Sequence, residues 1–166
     1  VAYLTDIGIS MTQASASLGG MVFISLIGRL GFGWLGDYFD KRWILMVSYL
    51  LQAIGVFILA NVETIEQVYT FLVVYGFAYG GSIPVLIAMR GEFFGRKAFA
   101  TIQGIMQMFL IIPTVVGPMF AGWVYDTTGS YDNAFMIFIV FYLIGVGILP
   151  FVKRPKSPAR VTVYNL

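Results

Sequence analysis

Read for hydrophobic and polar positions alone, the chain falls into long apolar runs parted by short charged islands. Four runs, 43–62, 67–89, 98–125 and 133–152, carry no charged residue. A fifth, about 14–36, contains a single charge, Arg29. A hydrocarbon core of about 30 Å needs roughly 20 apolar helical residues, and every run meets that length. Arg29 does not forbid the fifth. An arginine near a helix centre costs about 2.5–3.5 kcal/mol, and each surrounding Leu, Ile, Val or Phe returns roughly 0.3–0.6 kcal/mol. The runs lack the period-2 alternation of a membrane barrel, so transmembrane helices are the predicted elements.

The islands orient the spans. Lys41 and Arg42 follow the first span, Arg90, Arg96 and Lys97 follow the third, and Lys153, Arg154, Lys156 and Arg160 follow the fifth. The alternate islands hold only acids: Asp6, then Glu63 and Glu66, then Asp126 and Asp132. Basic residues collect on the cytoplasmic side of a membrane. The two basic loops and the tail at 153–166 are therefore expected inside, and the start of the chain outside. Residues 1–4 read as the last turn of an earlier apolar helix, and Ser10 with Gln13 offers a cap for the next. The expectation is five full spans within 1–152 plus the end of a sixth, a piece of a larger bundle, with a short cytoplasmic tail.

Composition sharpens this into an all-α membrane protein. Hydrophobic residues make up 59% of the chain and charged residues 11%, with a mean hydropathy of +0.87. A soluble domain carries about 25% charged residues. The chain has no Cys and no His, which removes thiolate and histidine catalysis and the usual zinc sites. All eight acids lie at span ends, so an enzyme buried in the membrane would lack its acids and bases. No enzyme activity, metal, cofactor or nucleic-acid partner is expected.

The most specific pattern is the first basic loop with the helix before it. Gly28 and Arg29 lead to Gly33, Asp37, Lys41 and Arg42. This spacing resembles the inner-loop signature of the major facilitator superfamily, although Tyr38 stands where a basic residue is usual and Asp40 where a glycine is. Gly117 and Pro118, followed by Ala121 and Gly122, resemble the superfamily's Gly-Pro helix pattern, and the turn from Asp126 to Tyr131 follows as the family's outer turn does. The resemblance runs nearly the length of the chain and matches the C-terminal six-helix bundle of a twelve-helix transporter. Arg29, with the stretch from Gly76 to Gly80, is similar to the monocarboxylate-transporter and oxalate–formate-antiporter branch.

That resemblance implies alternating access around a central site, completed by an N-terminal half. It also implies that Asp37 latches the inner end of a helix in that other half, with Gly33, Lys41 and Arg42 in the same gating loop. Arg29 is the one charge within a span. It lies too deep to snorkel comfortably, and an intramembrane arginine is an anion anchor or a charge-pair partner. A planar, permanently charged fork suits a carboxylate.

Tyr75, Tyr79 and Ser82 share a helix face, and so do Gln103, Gln107 and Thr114. Both stripes suit either a cavity wall or hydrogen bonding between helices. Gln52 with Ser48 reads as structural. Pro113 and Pro118 interrupt the longest span, which fits a kinked or gating helix. The function expected is a secondary active or facilitative transporter of small solutes, with organic anions such as monocarboxylates as substrate. A transporter for a non-anionic solute and a non-transporting membrane scaffold are the alternatives. With no acid inside a span, a proton carrier would lie in the other half or be the substrate itself, and exchange or facilitated transport stays open.

Overall fold

The computed structural model describes residues 2–6 and 8–153, without the side chains of residues 2 and 96–98, and every described element is helical. A short helix α1 (Ala2–Asp6) precedes five helices long and apolar enough to cross a membrane: α2 (Met11–Tyr38), α3 (Lys41–Ala60), α4 (Ile65–Gly95), α5 (Phe99–Thr128) and α6 (Asp132–Phe151). The last three residues of α6 tighten into a 3₁₀ turn. Each sequence-predicted span has its helix, with ends that differ from the expected ones by at most six residues. Of the tail expected at 153–166, residues 154–166 lie outside the described residues.

The boundaries follow from local chemistry. Ser10 and Gln13 form a reciprocal capping box at the start of α2, satisfying donors that the first turn leaves free. Gln67 reaches back to the backbone N–H groups of Glu63 and Thr64 at the start of α4. Asp40 accepts from the Arg42 N–H at 2.9 Å and caps α3. Two glycines make the remaining turns possible, because each adopts a positive φ that side chains resist. Gly129 (φ 74°) ends α5 and Gly95 (φ 69°) separates α4 from α5.

The chain doubles back at Gly95. Arg90 reaches Gln103, and a Cβ at Gly91 would lie 3.9 Å from the Phe99 ring; an unbroken helix would hold Arg90 and Gln103 about 20 Å apart. The prolines do not break their helices. Gly95 alone departs from helical dihedrals between Ile65 and Thr128, although Pro84, Pro113 and Pro118 lie in that stretch.

The core is built on glycine. Successive contacts between α2 and α4 pair Gly20 with Leu72, Gly28 with Phe77 and Gly36 with Val85, so the two helices run parallel. A Cβ at Gly28 would strike the Phe77 carbonyl, and one at Gly80 the backbone of Ser25. Such backbone-to-backbone approach is what small residues permit within lipid. Helix α3 packs on α4, with Gly55 against Tyr75. It is fastened there by Ser48, whose hydroxyl donates to the Ala78 carbonyl at 2.8 Å, while Gln52 donates to Ser48 at 3.1 Å. The structural reading of Ser48 and Gln52 therefore holds.

Helix α6 lies on α3 through Tyr49, Tyr142 and Gly145. Helix α5 is different. Met108, Phe109, Ile111, Ile112, Val115 and Met119 are all more than half exposed, and Val124 is its one buried residue among those described.

Candidate functional site

Two side chains flank the close contact between α2 and α4. Arg29 follows Gly28, and Tyr79 precedes Gly80. Successive residues turn by about 100° around a helix. In a parallel pair, the residue after the contact on one helix and the residue before it on the other therefore turn to the same side. Arg29 and Tyr79 are both exposed there, Tyr79 by 43%. Among the described residues Arg29 has no ion pair and no side-chain hydrogen bond. Ser25, one turn before it, is buried and satisfied by donating to the Val22 carbonyl at 2.7 Å. The guanidinium is therefore a permanent cation in mid-span, aimed off the packed face of its helix.

From Arg29 the stripe continues through Gly33 to Asp37 at successive turns. Gly33 and Asp37 line a groove of about 280 Å³ with Gly36, Lys41, Pro84, Val85 and Ala88. Gly33 has open space around it, with no atom within 4 Å of a Cβ built there, so close helix approach belongs to Gly28 and Gly80 instead. Asp37 is exposed and has no partner among the described residues. Lys41 pairs with Glu92 at 2.5 Å, joining the start of α3 to the end of α4. Arg42 grips Asp40 through both carboxylate oxygens and donates to the Val152 carbonyl at 3.1 Å, which ties the end of α6 to the same loop. The Asp40 carboxyl is lowered to about 2, first by the Arg42 guanidinium and then by the Arg42 N–H.

The other sequence candidates are divided. Tyr75 turns into the α3–α4–α6 packing, where its hydroxyl lies 3.0 Å from that of Tyr142 and its ring stacks between Phe71 and Tyr79. Ser82 is buried and donates to the Tyr79 carbonyl. Gln103 accepts from Arg90 at 2.9 Å, whereas Gln107, a turn further along α5, is exposed. Pro113 and Pro118 are exposed, and Gly117 has open space around it. Arg29, Tyr79 and the Gly33–Asp37 groove thus come together along the α2–α4 pair, while Tyr75 belongs to the neighbouring interface.

Sequence reasoning missed Arg90. It stands in a charged island that reads as a solvated loop, yet it is buried because α4 stays helical for five residues beyond it. Its register with Tyr79, three turns away on one helix face, was the available signal. Glu92 and Tyr142 were missed for another reason: their partners lie 51 and 67 residues away.

The family model of the Major Facilitator Superfamily matches residues 1–163. The chain belongs to the Major Facilitator Superfamily. Among this family's curated members, monocarboxylate transporter 12 of Mus musculus is 28% identical over 163 residues, covering 94% of the chain and 34% of the relative. Its counterpart from Homo sapiens is 26% identical over 165 residues, covering 95% and 32%. Monocarboxylate transporter 13 of Rattus norvegicus is 28% identical over 151 residues, covering 90% and 35%. The chain spans about a third of the length of the curated relatives it matches. Membership in the superfamily and five membrane-length helices make this an integral membrane protein.

Proposed function

We propose that this chain forms the second helical bundle of a secondary active or facilitative transporter that moves small organic anions such as monocarboxylates by alternating access. The observation that carries the reading is Arg29: a mid-span cation, exposed beside Tyr79, with no acidic partner among the described residues. An uncompensated charge at that depth is costly and marks a solute path, and a guanidinium pairs with a carboxylate through two parallel hydrogen bonds. The relatives' names, monocarboxylate transporters 12 and 13, agree with that chemistry. Tyr79 supplies a neutral hydroxyl beside Arg29 and Gln107 an exposed amide on α5, while Tyr75 is engaged with Tyr142 and Gln103 with Arg90. The partner is an N-terminal half carrying the opposing wall.

Gating falls to the basic end. Asp37, without a partner among the described residues and beside the groove, is the latch to the other half, and Gly33 leaves the space for it. Lys41 and Arg42 hold α3, α4 and α6 together so that the bundle rocks as one body. Pro113, Gly117 and Pro118 give α5 its capacity to bend. The basic loops and the C-terminus face the cytoplasm, by the charge asymmetry of the islands, and the membrane in this reading is the plasma membrane.

The test is uptake by proteoliposomes holding the full-length protein. Labelled propionate is expected to enter saturably and to exchange against internal monocarboxylate, while a neutral sugar is not. Equal uptake of the sugar would replace the anion reading with a non-anionic solute, and no uptake of any solute would leave a scaffold.

A further inference from the structure

Arg90 is a second arginine whose charge no acid balances among the described residues. It lies near the basic end of α4 and is 8% exposed. Its one hydrogen-bond partner among the described residues is neutral: Nη1 donates to the Gln103 side-chain oxygen at 2.9 Å, and Nε is buried with no acceptor. Among the described residues the nearby acid, Glu92, is engaged by Lys41, and Asp40 by Arg42. Burying a guanidinium without an anion or a full set of acceptors is expensive, and an orphaned buried donor calls for a missing partner. Because Gln103 accepts from Arg90 through its oxygen, its amide N–H groups are left as further donors. On α4, Arg90 shares the face that carries Tyr79, about 16 Å further toward the basic end. There α5 folds over it and brings Gln107 one turn above Gln103.

We infer that Arg90 and Gln103 form a second oxyanion-binding station, toward the basic end of the bundle, which takes the carboxylate of the transported solute as it enters or leaves on that side. The choice of a carboxylate rests on the transport reading above. The site itself rests on the burial of Arg90 and its vacant Nε. A lipid phosphate offers the same oxygen chemistry, so the experiment separates the two sources.

The full-length protein is purified in a neutral detergent, and its melting temperature is followed with propionate and, separately, with phosphatidylglycerol. In an Arg29→Gln background, which removes the mid-span anchor, propionate is expected still to raise the melting temperature. Adding Arg90→Gln should abolish that rise. In proteoliposomes, Arg90→Gln alone should raise the KM for propionate presented at the basic-loop face by roughly tenfold or more, the scale of one lost charge-assisted hydrogen bond. The KM from the opposite face should stay within about twofold, whereas Arg29→Gln should impair both faces.

A propionate shift that survives Arg90→Gln overturns the inference. So does an Arg90-dependent shift produced by phosphatidylglycerol and not by propionate, which would assign the site to lipid. Should Arg90→Gln fail to fold, Arg90→Lys keeps the charge without the Nε–H, and it should fold with a weakened propionate response. Failure of both variants to fold makes Arg90 a structural charge and also overturns the inference. If propionate binds through Arg90 but is never transported, the station stands and the transport reading falls.

Discussion

Gly28 and Gly33 lie little more than one turn apart on α2, and alanine at the two positions should act in opposite directions. A Cβ at Gly28 would run into the carbonyl of Phe77, which is backbone and cannot swing aside. Restoring a carbon–oxygen separation of roughly 3.3 Å would force α2 and α4 apart by about 1 Å. A gap of that size forfeits about a quarter to a half of the dispersion energy of each contact it opens. Overpacking of this kind costs about 1–3 kcal/mol, and alanine's better helix propensity returns at most about 1 kcal/mol. The net expectation for Gly28→Ala is a loss of about 1–2 kcal/mol. At Gly33 no atom lies within 4 Å of the added carbon. There the propensity gain stands alone, at about 0.5–1 kcal/mol of stabilisation. Thermal unfolding of the full-length protein in mild detergent, followed by tryptophan fluorescence, reads both. Gly28→Ala should lower Tm and Gly33→Ala should hold or raise it. An unchanged Tm for Gly28→Ala, or an equal fall for Gly33→Ala, would refute the backbone contact between α2 and α4.

The Asp40 cap predicts an acid-sensitive loop. Its carboxyl sits at about 2 in the folded protein, below the ordinary carboxylate value, so its stabilisation is full above roughly pH 4 and is lost as pH falls through about 2. The pair is largely exposed and screened, which limits the effect to below about 1 kcal/mol; Asp40→Asn should flatten that part of the Tm–pH curve, and an identical curve would show that the cap contributes nothing. Asp37→Asn should slow turnover more than it weakens substrate affinity, measured by exchange kinetics, and full-rate exchange would make the groove a simple connector. Impermeant cysteine reagents added outside should label substitutions at Glu63, Glu66 and Ser130 and miss those at Lys41 and Arg96. Outside labelling at Arg96 would invert the topology.

The helices were legible because charge-free runs of membrane length have few alternative folds, and the Ser10–Gln13 box is a local signal. The glycines of α2 and α4 were legible as a class, since small residues mark close packing within lipid. Which glycine meets backbone was not: Gly28 and Gly33 look alike until the crossing of α2 and α4 fixes the contact line. Arg29 stood out because a charge within an apolar run is conspicuous. Arg90 did not, since a cluster of charges after a span reads as loop, and only the continuation of α4 to Gly95 pulls it under cover. The tyrosines show the same limit. Tyr75 and Tyr79 share a stripe, but the arrival of Tyr142 from α6 draws one inward and leaves the other half-exposed.

The central claim is that Arg29 holds the carboxylate of the transported solute. Its most direct test is propionate exchange by full-length Arg29→Gln and Arg29→Lys, measured together with the Tm of each variant. A neutral amide offers little against the cost of desolvating an anion, and lysine keeps the charge but loses the planar fork. The account predicts that Arg29→Gln loses nearly all exchange at unchanged Tm, and that Arg29→Lys exchanges with weakened affinity. An Arg29→Gln protein with lowered Tm that still exchanges propionate with unchanged KM would contradict it, and would make Arg29 a contact that stabilises the bundle.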